Sequence, residues 1–84
     1  MSLAERARAV RTREDFLAFI EALRADHAEH RDAWANPDLG AFLEAMGAWA
    51  RDSDAFYRNV GEDPSALGPW RLMADLLMAA RIYE

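Results

Sequence analysis

The sequence predicts an all-α fold, a small bundle of three main helices plus a short N-terminal one, on three observations. Apolar residues recur at intervals of three and four, no stretch alternates apolar with polar, and the breaks carry helix start and stop residues. The position of the helices follows from the stretch Trp70 to Tyr83, in which only Arg71, Asp75 and Arg81 are polar, all in one narrow wedge of the helical wheel. A helix apolar over most of its circumference is surrounded by other helices. This C-terminal helix is therefore expected at the centre, with the rest of the chain covering it.

Length and charge narrow the field. Eighty-four residues make one domain, residues 1–84, with a stability of roughly 4–13 kcal/mol on per-residue scaling. No cysteine is present, which removes disulfides, thiolate metal sites and a thiol nucleophile. The net charge of −5 disfavours nucleic acid and anionic membrane as partners and permits a basic protein. All ten basic residues are arginine, which fits a biased genome better than selection for ion pairs. No stretch approaches the ~20 apolar residues of a membrane span, and the charged start Met1 to Arg6 lacks a signal-peptide core. A cytoplasmic location is the expectation.

The elements follow in order. Ser2 and Glu5 have capping-box spacing, with Leu3, Ala7 and Val10 on one stripe behind them. Arg6, Arg8, Arg11 and Arg13 fall on both flanks of that stripe, unlike the one-sided footprint of a nucleic-acid binder. Thr12 caps a second helix over residues 13–29, whose buried face is Phe16, Phe19, Ile20, Leu23 and His27. Its end holds Asp26, His27, Glu29 and His30. Histidines three apart share a helix face, so His27 and His30 are candidate metal ligands. The H-E-x-x-H pattern is absent, though, and histidine at a helix C-terminus is favoured by the dipole alone. The expectation is no metal and no cofactor.

Asn36-Pro37-Asp38 reads as an N-cap, a proline at N1 and an acid in the first turn, starting a long helix over residues 37–60. Trp34, just before it, either folds back as an apolar lid or stays out as an anchor for a partner, and burial of large aromatics favours the lid. The stripe of this helix is Leu39, Phe42, Leu43, Met46, Trp49, Ala50, Phe56, Tyr57 and Val60, interrupted by Ser53, a kink or a restart. The other side carries Ala41, Ala45, Ala48 and Ala55 with Glu44. That row is either a seam for a homodimer or an exposed face filled with a good helix former, the second being favoured. Asn59 and Gly61 end the helix, and Gly68-Pro69 opens the last one.

Trp34-Ala35-Asn36-Pro37-Asp38-Leu39, Phe42-Leu43-Glu44-Ala45-Met46, Ala48-Trp49, Tyr57-x-Asn59, Trp70 and Ala79-Ala80-Arg81-x-Tyr83-Glu84 together resemble a family of small bacterial helical proteins of unknown function. Its pattern is W-E-N-x-x-L-x-x-F-L-E-A-M-x-A-W with a terminal A-A-R-x-Y-E, and Ala35 stands here where the pattern has its acid. The resemblance implies a stand-alone helical domain, supplies no activity, and singles out Asn36, Glu44, Trp49, Tyr57, Trp70, Arg81 and Tyr83. Capping accounts for Asn36, and a tail clamp accounts for Arg81 and Tyr83.

Ser2, Ser53 and Ser65 have no histidine nearby in sequence, and no glycine-rich phosphate loop is present, so catalysis finds no support. The leading expectation is a non-enzymatic protein-interaction module, as monomer or homodimer. Its specific version is an inhibitor- or immunity-type protein that captures a basic partner, with Trp34, Asp52, Asp54, Glu62 and Asp63 as candidate contacts. The alternative is a small-ligand or metal-binding protein using His27, His30 and a pocket beneath Trp34 and Trp70.

Overall fold

A computed structural model describes residues 1–83; Glu84, the last residue of the terminal A-A-R-x-Y-E, lies outside the described residues. Among the described residues there are four helices: α1 (Leu3–Ala9), α2 (Arg13–Glu29), α3 (Leu39–Val60) and α4 (Pro69–Ala80). Short 3-10 turns at Arg31–Ala33 and Pro64–Ala66 join α2 to α3 and α3 to α4.

The helix starts are chemical. Ser2 Oγ accepts from Glu5 N at 3.1 Å while Glu5 Oε1 accepts from Ser2 N at 3.0 Å, a complete capping box. Thr12 Oγ1 accepts from Asp15 N at 3.1 Å and opens α2 at its expected bounds. The start of α3 differs from expectation. Its N-cap is Asp38, whose Oδ1 accepts from Ala41 N at 2.9 Å, so the helix begins two residues later than an Asn36 cap would place it. Asn36 is committed elsewhere, as described below. Ser53 does not restart α3; its hydroxyl donates to the Ala50 carbonyl at 2.9 Å and the helix is continuous as far as its Gly61 cap. There the chain turns through the left-handed region, φ 75°, a conformation glycine adopts without a Cβ penalty.

α4 is central: α1, α2 and α3 each pack on it, whereas α2 and α3 make little direct contact. The main core joins Ala7, Val10, Phe16, Phe19, Leu23, Trp34 and Ala74. Phe19 is the largest side chain wholly enclosed, 1 % exposed, and burial of such a ring stabilises by roughly 1.5–3 kcal/mol. Ala7, Ala74 and Ala80, almost wholly inaccessible, let the backbones of α1 and α4 approach their neighbours closely.

One helix face is settled by the structure and one expectation is corrected. The polar wedge of α4 points inward: Arg71 and Asp75 are 7 % and 8 % exposed, while Met73 is 45 % exposed and Leu76 and Leu77 are half-buried. The alanine row of α3 is not an exposed face. Ala45 is buried, Ala41 and Ala48 are half-buried, and only Ala55 stands in solvent. α3 buries Ala45 together with Trp49 and Tyr57, and Leu39, Leu43, Phe56 and Val60 of the expected stripe stay 72, 54, 41 and 51 % exposed.

Candidate functional site

The inward-facing α4 wedge creates a buried polar cluster. Arg71 and Asp75 stand one turn apart on α4, and Arg71 Nε donates to Asp75 Oδ1 at 3.0 Å and to Oδ2 at 3.1 Å. Tyr57 of α3 donates its phenol proton to Asp75 Oδ2 at 2.7 Å. The Gly61 turn brings Glu62 back over the end of α3, where its Oε1 accepts from Arg71 Nη2 at 3.0 Å. Arg71 Nη1 donates to the Arg8 carbonyl of α1 at 3.3 Å. One guanidinium thus ties α1, α4 and the turn after α3 together, its planar fork meeting three acceptor groups.

The electrostatics follow from this geometry. Burial opposes the Arg71 charge, but the Asp75 and Glu62 carboxylates overcome it and hold the guanidinium above its ordinary range. Burial, reinforced by the Asp75 carboxylate that accepts its proton, pushes the Tyr57 phenol well above the usual tyrosine value.

The cluster forms the polar end of a cleft of about 570 Å³ between α1 and the second half of α3, floored by α4. Trp49, Phe56, Val60, Met78 and Ile82 line the rest of it. A second groove, about 330 Å³, runs between α2 and the first half of α3 and is lined by Ile20, Leu23, His27, Trp34, Phe42 and Leu77. The two share no lining residue.

The remaining singled-out residues serve the fold. Trp34 is the lid and not an exposed anchor: it is 8 % exposed, stacks on Phe42 at 5.8 Å, meets His27 edge-on at 4.9 Å, and donates Nε1–H to Asp26 at 2.8 Å. Arg81 reaches the same Asp26 oxygen at 3.1 Å. Asn36 donates through Nδ2 to the carbonyls of Ala80 (3.0 Å) and Tyr83 (2.7 Å), satisfying the open end of α4 instead of starting α3. Tyr83 donates its phenol proton to Asp52 of α3, which raises the phenol above its usual value. The tail is thus clamped from both sides. Trp70 packs on Phe16 at 5.5 Å and does not line the groove beside Trp34. Trp49 is buried against Phe56 and Tyr57, and Glu44 lies in solvent.

His27 is half-buried, and its Nε2 donates to the Pro37 carbonyl at 2.7 Å; His30 stands in solvent, 3.9 Å from Glu29. Among the described residues no three His, Asp or Glu side chains converge as a metal would require. The serines are occupied locally, Ser65 donating to Asp63 at 2.7 Å and Ser53 to its own helix. Of the candidate contact acids, Glu62 is paired to Arg71, Asp52 accepts from Tyr83, and Asp63 caps the Pro64–Ala66 turn, which lowers its carboxyl below the usual range. Asp54 is exposed.

What the residues alone did not reveal is the Arg71–Asp75 pair as a buried centre. The i, i+4 spacing was the available signal, and it reads equally well as a solvated pair. No helix is long and apolar enough to cross a membrane among the described residues. No curated protein and no solved structure matches the chain. The family model that does match begins at the α2 cap, leaves α1 outside and takes in both the Asp26–Trp34–Arg81 clamp and most of the polar cluster: over residues 12–84, the chain belongs to the family of unknown function DUF7660.

Proposed function

We propose that this chain is a non-enzymatic protein-interaction module of the bacterial cytoplasm, and that it receives its partner along the α2–α3 groove. The observation that carries the reading is the exposure of Leu39, which lines that groove, and of Leu43 one turn further along α3, 72 % and 54 %. Apolar surface collected at one place and rimmed by polar residues marks interaction sites. Packing only on α4 leaves α3 with this flank uncovered. The net charge of −5 supports the more specific version, an inhibitor- or immunity-type protein that captures a basic partner, since complementary charge speeds encounter. Asp52, Asp54, Glu62 and Asp63 keep a role as long-range attractors, although three of them also hold internal bonds.

The test is affinity capture with the wild-type chain beside a Leu39→Asp/Leu43→Asp variant. Both positions face solvent, so the variant keeps its fold. A basic partner held by the wild type, released by the variant and weakened by salt is the expected result. A partner set unchanged in the variant, or acidic partners bound independently of salt, refutes the reading.

A further inference from the structure

The α1–α3 cleft has features that neither the fold nor a protein partner on the other groove uses. Its volume, about 570 Å³, lies within the ~300–1,000 Å³ typical of small-molecule sites. Its walls are apolar, yet Phe56, Val60 and Ile82 are 41, 51 and 53 % exposed, so an empty cleft leaves that surface wet at a free-energy cost. Trp49 and Phe56 stand edge to face with ring centroids 5.4 Å apart and both line the cleft, Phe56 as its exposed ring.

The polar end selects the kind of ligand. A guanidinium carries five N–H donors. In Arg71 the Nε–H serves Asp75, one Nη1–H the Arg8 carbonyl, and one Nη2–H Glu62. The other two N–H groups have no acceptor among the described residues, although the side chain is more than nine-tenths buried. Buried donors take an acceptor where one is offered. A charged head is disfavoured, because Arg8 and Arg71 are balanced by Glu62 and Asp75 around the same cleft, and an added ion there lacks a counter-charge.

We propose that the α1–α3 cleft is a binding site for a neutral, mainly apolar small molecule with a flat aromatic body and one carbonyl or hydroxyl oxygen, which accepts from Arg71. The site is independent of the α2–α3 groove, so loss of either assignment leaves the other standing.

Acetylnaphthalene serves as the probe, with naphthoate and naphthylmethylammonium carrying the same body on an anionic and a cationic head. Each is titrated into the isotope-labelled full chain by NMR. The expected result is saturable shifts for acetylnaphthalene centred on the Trp49 indole, Ala7 and Ile82, with both charged analogues binding at least about tenfold more weakly. Val60→Trp and Ile82→Trp, each at an exposed wall position, fill the cleft and abolish the shifts, while Leu43→Asp leaves them intact. Making the two wall changes separately keeps the test decisive if one fails to fold. No saturable shift, shifts centred on Ile20 and Leu39, undiminished binding to either folded wall variant, or a charged analogue that matches the neutral one overturns the proposal.

Discussion

Replacing Asp75 with alanine tests the buried cluster most directly. Its carboxylate accepts from Arg71 at 3.0 and 3.1 Å and from Tyr57 at 2.7 Å, with all three side chains buried. Removing one member of a buried ion pair costs about 3–5 kcal/mol, because the partner charge is left in place without compensation. Arg71 would retain Glu62 and the Arg8 carbonyl, which favours the lower half of that range, while the stranded Tyr57 phenol pushes it up. Against a total of roughly 4–13 kcal/mol the loss brings the domain close to unfolding. The assay is urea unfolding followed by helical circular dichroism, with an osmolyte to keep the variants folded. Tyr57→Phe alone should cost about 1.5–3 kcal/mol, the worth of a hydrogen bond to a charged group. In the Asp75→Ala background it should cost nothing or stabilise, because the phenol it removes no longer has an acceptor. A loss under about 1 kcal/mol for Asp75→Ala, or equal Tyr57→Phe effects in both backgrounds, would refute the cluster as a coupled unit.

The same phenol makes the fold sensitive to alkali. Its folded-state pKa lies above the unfolded value of about 10, so its contribution is complete below that pH and is lost as pH climbs through the raised value. Tyr83 shifts in the same direction through Asp52. Phenolate absorbance should therefore appear late and together with loss of helix; ordinary phenolate titration in a folded chain would contradict this. Asn36→Ala should cost about 1–3 kcal/mol in urea unfolding by leaving the Ala80 and Tyr83 carbonyls without their donor, and a neutral result would discount the clamp. Gly61→Ala should cost about 1–2 kcal/mol although an added Cβ meets nothing within 4 Å, the whole effect being conformational. Ala45→Leu should destabilise by about 1–3 kcal/mol by forcing α3 away from its neighbour, whereas a silent change would return this row to solvent.

Local chemistry was legible and distant pairing was not. Ser2 with Glu5, Thr12, Gly61 and Pro69 each announce a boundary within three or four residues, and the structure places helix ends at all of them. Asn36-Pro37-Asp38 contains two residues able to cap α3. The choice of Asp38 was settled by carbonyls 44 and 47 residues further along, which recruit Asn36. The α4 wedge was illegible for the same reason. Spacing alone gives Arg71 and Asp75 no burial, which comes with Tyr57, 18 residues before Asp75, and with Glu62. On α3 the apolar stripe and the alanine row compete to face inward. The two share the interior, Ala45 being buried beside Trp49 and Tyr57 while Leu39, Leu43, Phe56 and Val60 remain outside. Neither cleft could be found from periodicity, since each arises between helices that make little direct contact.

The order of synthesis matters for a domain with this topology. α4 is the segment on which the other three helices converge, and it is made after all of them. Until it emerges, α2 and α3 have almost nothing to hold on each other, and Phe16, Phe19 and Trp49 have no finished interior to enter. The growing polypeptide must therefore stay open to chaperones and proteases through most of its translation, and then close in a single late event.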